Sequence, residues 1–270
     1  MLVTNSAQKT LLVQSCFLKP MAKLPQLVVD GDSLPEVWEK SMEALLHHGI
    51  RSYKESYRYD EEKIEIIEAS MKMIIRDPLR EPMLHMGCEG LGNLREYVDE
   101  VLDGTKDDYV DRGFWDYTYH RLLKSYEVVG LPPVDQFSYI IEKLSAASFS
   151  NRAQGTTWMP WKHSQVKGPP CLQRIWFKIF GDELEMHTSW RSRDSYNAAF
   201  MNMYAIIHLH RRFSEKLHVK VGQYVDDTDS YHIYSYNINS VEKFLETAKT
   251  LRGKGESPYE NSSLLTKMCK

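Results

Sequence analysis

The chain has 270 residues, 26% of them charged, and a net charge of −3. That length fits a single domain, residues 1–270, with a core large enough to need no staples; the charge balance lacks the basic footprint of a protein that binds nucleic-acid polymers. Cys16, Cys88, Cys171 and Cys269 are too scattered for a zinc motif and too few for a disulfide framework. With no apolar run of membrane-spanning length and no secretory signal, a reducing, cytoplasmic setting is favoured, without metal or membrane.

In chain order, Leu34 to His48 carries Val37, Met42, Leu45 and Leu46 at helical spacing, with Gly49 as the stop. A basic, tyrosine-rich stretch with Arg51, Lys54 and Arg58 reads as a loop. Lys63 to Ile75 alternates short apolar groups. Leu94 to Leu102 has helical spacing that puts Glu96 and Glu100 on one face. Trp115 to Tyr126 is rich in aromatic residues, Val134 to Leu144 makes an amphipathic helix, and Ser195 to Leu217 reads as one long helix with the polar Asn202 among Phe200, Met203, Tyr204, Ile207 and Leu209. Gly222 to Tyr236 is strand-like, with His232 and Tyr234 two apart and so on one face. Arg252 to Pro258 reads as a loop before a polar tail, and about residues 1–30 and 253–270 are expected to be mobile.

The stretch that organises the rest is Pro169-Pro170-Cys171 with Trp190-Arg191-Ser192-Arg193-Asp194. Gly181-Asp182 is a turn signal, so Glu183 to Trp190 is expected to run back beside Gln173 to Phe180 and bring Arg191 to Cys171. A thiol attacks as thiolate, and a nearby guanidinium favours that form. Taken alone, a cysteine after two prolines is as readily a small buried hydrophobe. The further set of serine, amide, histidine and tyrosine suits a nucleotide.

These residues resemble the thymidylate synthase family, especially its shorter archaeal-type branch. The resemblance spans about residues 40 to 240 and rests on motifs in order: Glu81-Pro82-Met83-Leu84-His85, Asp116-Tyr117-Thr118-Tyr119-His120, Asp135-Gln136, Ser150-Asn151-Arg152-Ala153-Gln154, Pro169-Pro170-Cys171, Arg191-Ser192 with Asp194, Asn202, and His232-Ile233-Tyr234. It implies an α+β, two-layer fold, a mixed sheet packed by helices whose other side meets a second copy at a two-fold dimer interface.

By the same resemblance, Cys171 is the nucleophile, Tyr119 stands near it, and Asn202 reads the pyrimidine. Glu96, with Glu100 as second choice, organises protons at the pyrimidine carbonyl. Arg191 and Ser192 hold phosphate together with Arg152 of the second copy and an N-terminal cation, for which Arg58 is the candidate beside Arg51 and Lys54. His232 and Tyr234 hold the sugar hydroxyl, and Asp194 the pterin. The implied partners are a pyrimidine nucleoside monophosphate and 5,10-methylenetetrahydrofolate or a related reduced pterin, and the implied reaction is methylation of dUMP to dTMP. A pyrimidine nucleotide 5-hydroxymethylase acting on dUMP, dCMP or CMP shares every step until water replaces hydride, and a non-catalytic nucleotide- or RNA-binding relative is the reading from another class.

The sequence departs from the better-known synthases in four places. Asn151 stands where an arginine is usual, Leu172 where a histidine is, and Trp190 where a glutamine is, and the chain ends Thr266-Lys267-Met268-Cys269-Lys270 in place of an apolar lid. Asparagine cannot copy the bidentate phosphate contacts of a guanidinium.

Overall fold

The computed structural model describes residues 23–55, 63–87, 91–263 and 265. The chain opens with strand β1 (Gln26–Gly31), helix α1 (Leu34–His48), strands β2 (Ile50–Glu55) and β3 (Lys63–Ile75), and the short strand β4 (Leu84–His85). Helices α2 (Leu91–Asp103), α3 (Asp107–Asp111) and α4 (Tyr119–Lys124) follow, then a hairpin of β5 (Tyr126–Val128) and β6 (Leu131–Val134) and helix α5 (Gln136–Ala146). Strand β7 (Gln154–Thr156) and helix α6 (Pro160–His163) lead to β8 (Leu172–Phe180), β9 (Glu183–Asp194), helix α7 (Ala199–Leu217) and β10 (Lys220–Tyr234). Helix α8 (Ile238–Gly253) and strand β11 (Tyr259–Glu260) complete the described chain.

The main sheet runs β1-β3-β10-β9-β8-β7, with β2 also paired to β3. Strand β3 is long enough to hold β2 antiparallel along its first half and β1 parallel along its second. Strands β9 and β10 are parallel, as they must be when α7 carries the chain back across the sheet between them, whereas β8 and β9 form the expected antiparallel hairpin. Gly181, at φ 61°, takes the left-handed turn conformation that joins them.

Strand alternation sorts the two faces. Ala69, Met71, Met73 and Ile75 of β3 are buried beneath the helices, while Ser70, Lys72 and Ile74 are half-buried on the opposite face. The helices therefore form one layer and the sheet the other, the α+β arrangement with a mixed sheet. Helix α7 lies at the centre, with Phe200, Met203, Ile206, Ile207 and Leu209 all buried. Among the described residues no helix is long and apolar enough to cross a membrane.

Several boundaries differ from those expected, each for a local reason. Helix α7 starts at Ala199 because Asp194 Oδ1 accepts from the backbone N–H groups of Tyr196 (3.1 Å) and Asn197 (3.0 Å), holding the intervening residues in a turn. Asp135 caps α5 by accepting from Ser138 N at 3.0 Å, so the helix begins after it. The basic stretch after Gly49 is ordered into β2 as far as Glu55. Gln26–Gly31, expected to be mobile, is a strand, and Tyr259–Glu260 pairs with Leu84–His85. Arg252 anchors this end by donating from Nη1 to Glu39 Oε1 at 2.7 Å.

One buried ion pair ties β9 to β10. Arg193 and Asp226 are 1% and 0% exposed, and the guanidinium donates to the carboxylate through both terminal nitrogens, Nη1 reaching Oδ2 at 2.9 Å. Tyr224 and Thr188 donate to the same Oδ2 at 2.7 and 3.0 Å, and the Arg193 cation lies 4.6 Å from the Trp190 ring. Asp226→Ala strands the Arg193 charge in the interior and should cost about 3–5 kcal/mol, read from urea unfolding midpoints. Replacing both partners, Arg193→Met with Asp226→Leu, should cost less than the single change.

Candidate active site

The β8/β9 hairpin brings the thiol and the guanidinium together. Arg191 N donates to the Cys171 backbone carbonyl at 2.9 Å, which fixes the open end of the hairpin, and Arg191 Nη2 lies 3.7 Å from Cys171 Sγ. The guanidinium also donates from Nε to Pro170 O (3.0 Å) and from Nη2 to Pro169 O (2.6 Å). An arginine has five donors; these contacts use the Nε side of the fork, and Nη1 has no partner among the described residues.

Cys171 opens on a cavity of about 810 Å³, within the usual span of small-molecule sites, about 300–1,000 Å³. Arg191, Ser192, Asp194, Tyr119, Asn202 and Tyr234 share its lining, so most of the residues singled out in the sequence lie around one space. Others do not. Glu96 is exposed on the outer side of α2, and Glu100 faces the cavity instead. At about 100° per residue, Glu96 lies opposite the stripe formed by Leu94, Val98 and Val101, while Glu100 lies on its flank beside Tyr97. Of the two candidate glutamates, Glu100 is thus the one placed at the cavity, and Glu96 is not.

Arg152 is exposed and outside this cavity, its backbone carbonyl accepting from Tyr139 Oη at 3.1 Å. Arg51 pairs outward with Glu65 at 3.1 Å, and among the described residues of this stretch Lys54 is the cation that lines the cavity. Arg58 lies outside the described residues.

His232 is wholly buried behind the cavity wall. Its Nδ1 donates to Ser230 O at 3.0 Å, which leaves Nε2 as the acceptor for Lys54 Nζ at 3.1 Å. Burial and, next, the Lys54 cation push its pKa down to about 3, so the ring is a neutral acceptor. Lys54 also donates to Tyr234 Oη at 3.3 Å, and burial lowers its own pKa.

The cavity lining also includes Tyr97, which no pattern in the sequence singled out. Asn202 Nδ2 donates to Tyr97 Oη at 2.8 Å, which satisfies the amide of a buried asparagine. Tyr97 and Tyr119 are buried phenols held protonated, and Tyr117 is pushed up to about 12, in each case chiefly by burial. Burial also lifts Glu100 to about 7, with Asp107 adding to the rise against Lys106. Tyr97 stands three residues before Glu100 on α2, so the helical phase that rejects Glu96 was the available signal. Leu172 and Trp190 are buried in the core and do not line the cavity, so neither departure alters its wall directly. Asp194 does line it, although both its oxygens already cap the turn before α7, Oδ2 accepting from Asn197 Nδ2 at 2.7 Å. Among the described residues no group of three or more His, Cys, Asp or Glu is placed to hold a metal ion.

A mixed sheet backed by a central helix, with a cysteine and an arginine paired at the open end of an interior hairpin beside a tyrosine-lined cavity, defines the class. The model of the thymidylate synthase family matches residues 41–254, and the chain belongs to that family. Among curated relatives, a protein of Methanosarcina barkeri named "Putative thymidylate synthase" is 27% identical over 222 residues, covering 81% of this chain and 94% of that protein. A relative of the same name from Methanocaldococcus jannaschii is 30% identical over 174 residues, 63% of this chain and 72% of its own.

Glu100 gives a pH signature. Folded, it holds its proton up to about pH 7; unfolded, only to the ordinary 4.5. The native state thus binds more protons between those values, and stability falls as pH rises through them. Glu100→Gln should flatten that fall in thermal melts taken from pH 4.5 to 8.

Proposed function

We propose that the cavity binds a pyrimidine nucleoside monophosphate and adds a one-carbon unit to C5 of its ring, with dUMP as nucleotide and 5,10-methylenetetrahydrofolate or a related reduced pterin as donor. The whole chain serves as one catalytic domain. The observation that carries the reading is the Cys171 thiol beside Arg191 in a cavity whose lining also includes Asn202, Lys54 and Tyr234.

C5 of uracil is a weak nucleophile. Addition of the Cys171 thiolate to C6 moves the ring's π electrons toward C5 and the C4 oxygen, giving an enolate. Asn202 and Tyr97 offer hydrogen-bond donors at that oxygen as its charge builds. C5 then bonds to the methylene carbon of the reduced folate as one of that carbon's two bonds to nitrogen opens and the freed nitrogen takes up a proton, and the C5 proton leaves to a base. Glu100, poised near neutral, suits the transfer of that proton and its return. Release of the folate nitrogen leaves a methylene on C5, and hydride from the departing tetrahydropterin turns it into methyl with dihydrofolate as co-product. Expulsion of the Cys171 thiolate restores the ring. Trp115, Tyr117 and Tyr236 supply flat rings against which a pterin can stack, with Asp194 beside them.

For the phosphate, Arg191 offers its free Nη1 beside Ser192, and Lys54 serves as the N-terminal cation. Arg152, exposed and turned from its own cavity, suits service to the site of a second copy packed on the open sheet face, which makes the working unit a homodimer.

Incubating the protein with 5-fluoro-dUMP and methylenetetrahydrofolate should give a covalent ternary adduct at Cys171 by mass spectrometry, absent from Cys171→Ser. Failure to form it with intact protein rejects the catalytic reading in favour of a binding protein. With dUMP, a methyl product with dihydrofolate identifies the synthase, and a hydroxymethyl product with tetrahydrofolate identifies the hydroxymethylase. Lys54→Met should raise KM for the nucleotide about 10- to 100-fold with little change in kcat, the loss expected of one charged hydrogen bond; steady-state kinetics on dUMP checks it.

A further inference from the structure

We propose that Tyr97 sets the base preference of this site, orienting the Asn202 carboxamide so that it pairs with uracil rather than cytosine. The inference rests on the nucleotide reading above and concerns a residue to which that reading gives no role in choosing the base.

Asparagine is by itself an ambiguous reader. One end of its carboxamide donates and the other accepts, and turning the group over exchanges them. Uracil presents an accepting O4 beside a donating N3–H; cytosine presents a donating 4-amino group beside an accepting N3. Whichever end of Asn202 lies toward position 4 of the ring therefore decides which base is matched.

Tyr97 supplies the missing constraint. Asn202 Nδ2 donates to Tyr97 Oη at 2.8 Å, with Tyr97 on α2 and Asn202 on α7, so two separate elements fix the amide. One Nδ2 hydrogen is thereby spent, and the second, together with Oδ1, remains for the base as the donor and acceptor that uracil requires. The opposite arrangement needs Tyr97 to give its own proton to Oδ1. In the observed arrangement Tyr97 Oη instead accepts from Asn202 Nδ2, and the residue lines the cavity with its own proton not given to the amide. Burial keeps the phenol protonated, and no acceptor for that proton is found among the described residues, so the O–H remains available to the ligand. A phenolic donor beside Nδ2 adds a second hydrogen bond for O4 and confronts a 4-amino group with two donors.

The test compares dUMP and dCMP by isothermal titration against the intact protein and Tyr97→Phe, with thermal melts to verify that the variant folds. The wild-type protein should favour dUMP, and Tyr97→Phe should lower the ratio of the two affinities about tenfold or more, the loss expected of one oriented hydrogen bond at a buried amide. In an Asn202→Ala background, Tyr97→Phe should change the ratio much less than in the wild-type protein, because no amide remains to orient and only the phenol's own hydrogen bond to O4 is lost. A folded Tyr97→Phe protein that keeps the wild-type ratio, or weakens both nucleotides equally, overturns the proposal, as does a wild-type preference for dCMP. A wild-type protein that binds neither nucleotide brings down the nucleotide reading itself, and that result is distinct from a retained ratio.

Discussion

The register between β9 and β10 is the constraint on which the site depends, and the Arg193–Asp226 pair holds it. Strand β9 carries Arg191, Ser192 and Asp194, and β10 carries His232 and Tyr234. Because the two run parallel, no hairpin turn sets their alignment; it must come from side chains and from the packing of α7 across them. A bidentate ion pair sealed by Tyr224, Thr188 and Thr228 fits one alignment only. A slip of one residue would bury two charges unpaired and turn Tyr234 to the other face.

The pairing of β8 with β9 works differently, through a short turn and a carbonyl contact. Arg191 clamps the Pro169–Cys171 segment through two carbonyl oxygens while lying beside the sulfur, so the group that favours the thiolate also fixes where the thiol points. Such an arrangement is local in sequence, which is why a turn signal and two strand patterns were enough to foresee it.

Elsewhere the site joins residues far apart in the chain, and there sequence patterns failed in instructive ways. Of two glutamates one turn apart on α2, Glu96 was the first choice, yet the helix sits with its Leu94 stripe on α7, which sends Glu96 to solvent and Glu100 to the cavity. Of the three basic residues after Gly49, Lys54 was only one candidate until β2 was seen pairing with β3, an arrangement that aims it at His232 and Tyr234. His232, though two residues from Tyr234, is wholly buried and does not line the cavity, which it meets through Lys54.

The sequence by itself determined the periodic elements, the turn that folds Cys171 toward Arg191, and the order of motifs that marks the family, because each of these is written in neighbouring residues. Tertiary structure alone decided which glutamate faces inward, that Lys54 reaches the cavity, and that Tyr97 meets Asn202 across 105 positions. Those outcomes follow from how helices and strands seat their apolar faces against one another, and that rotation about each axis is fixed by the whole core rather than by any one segment.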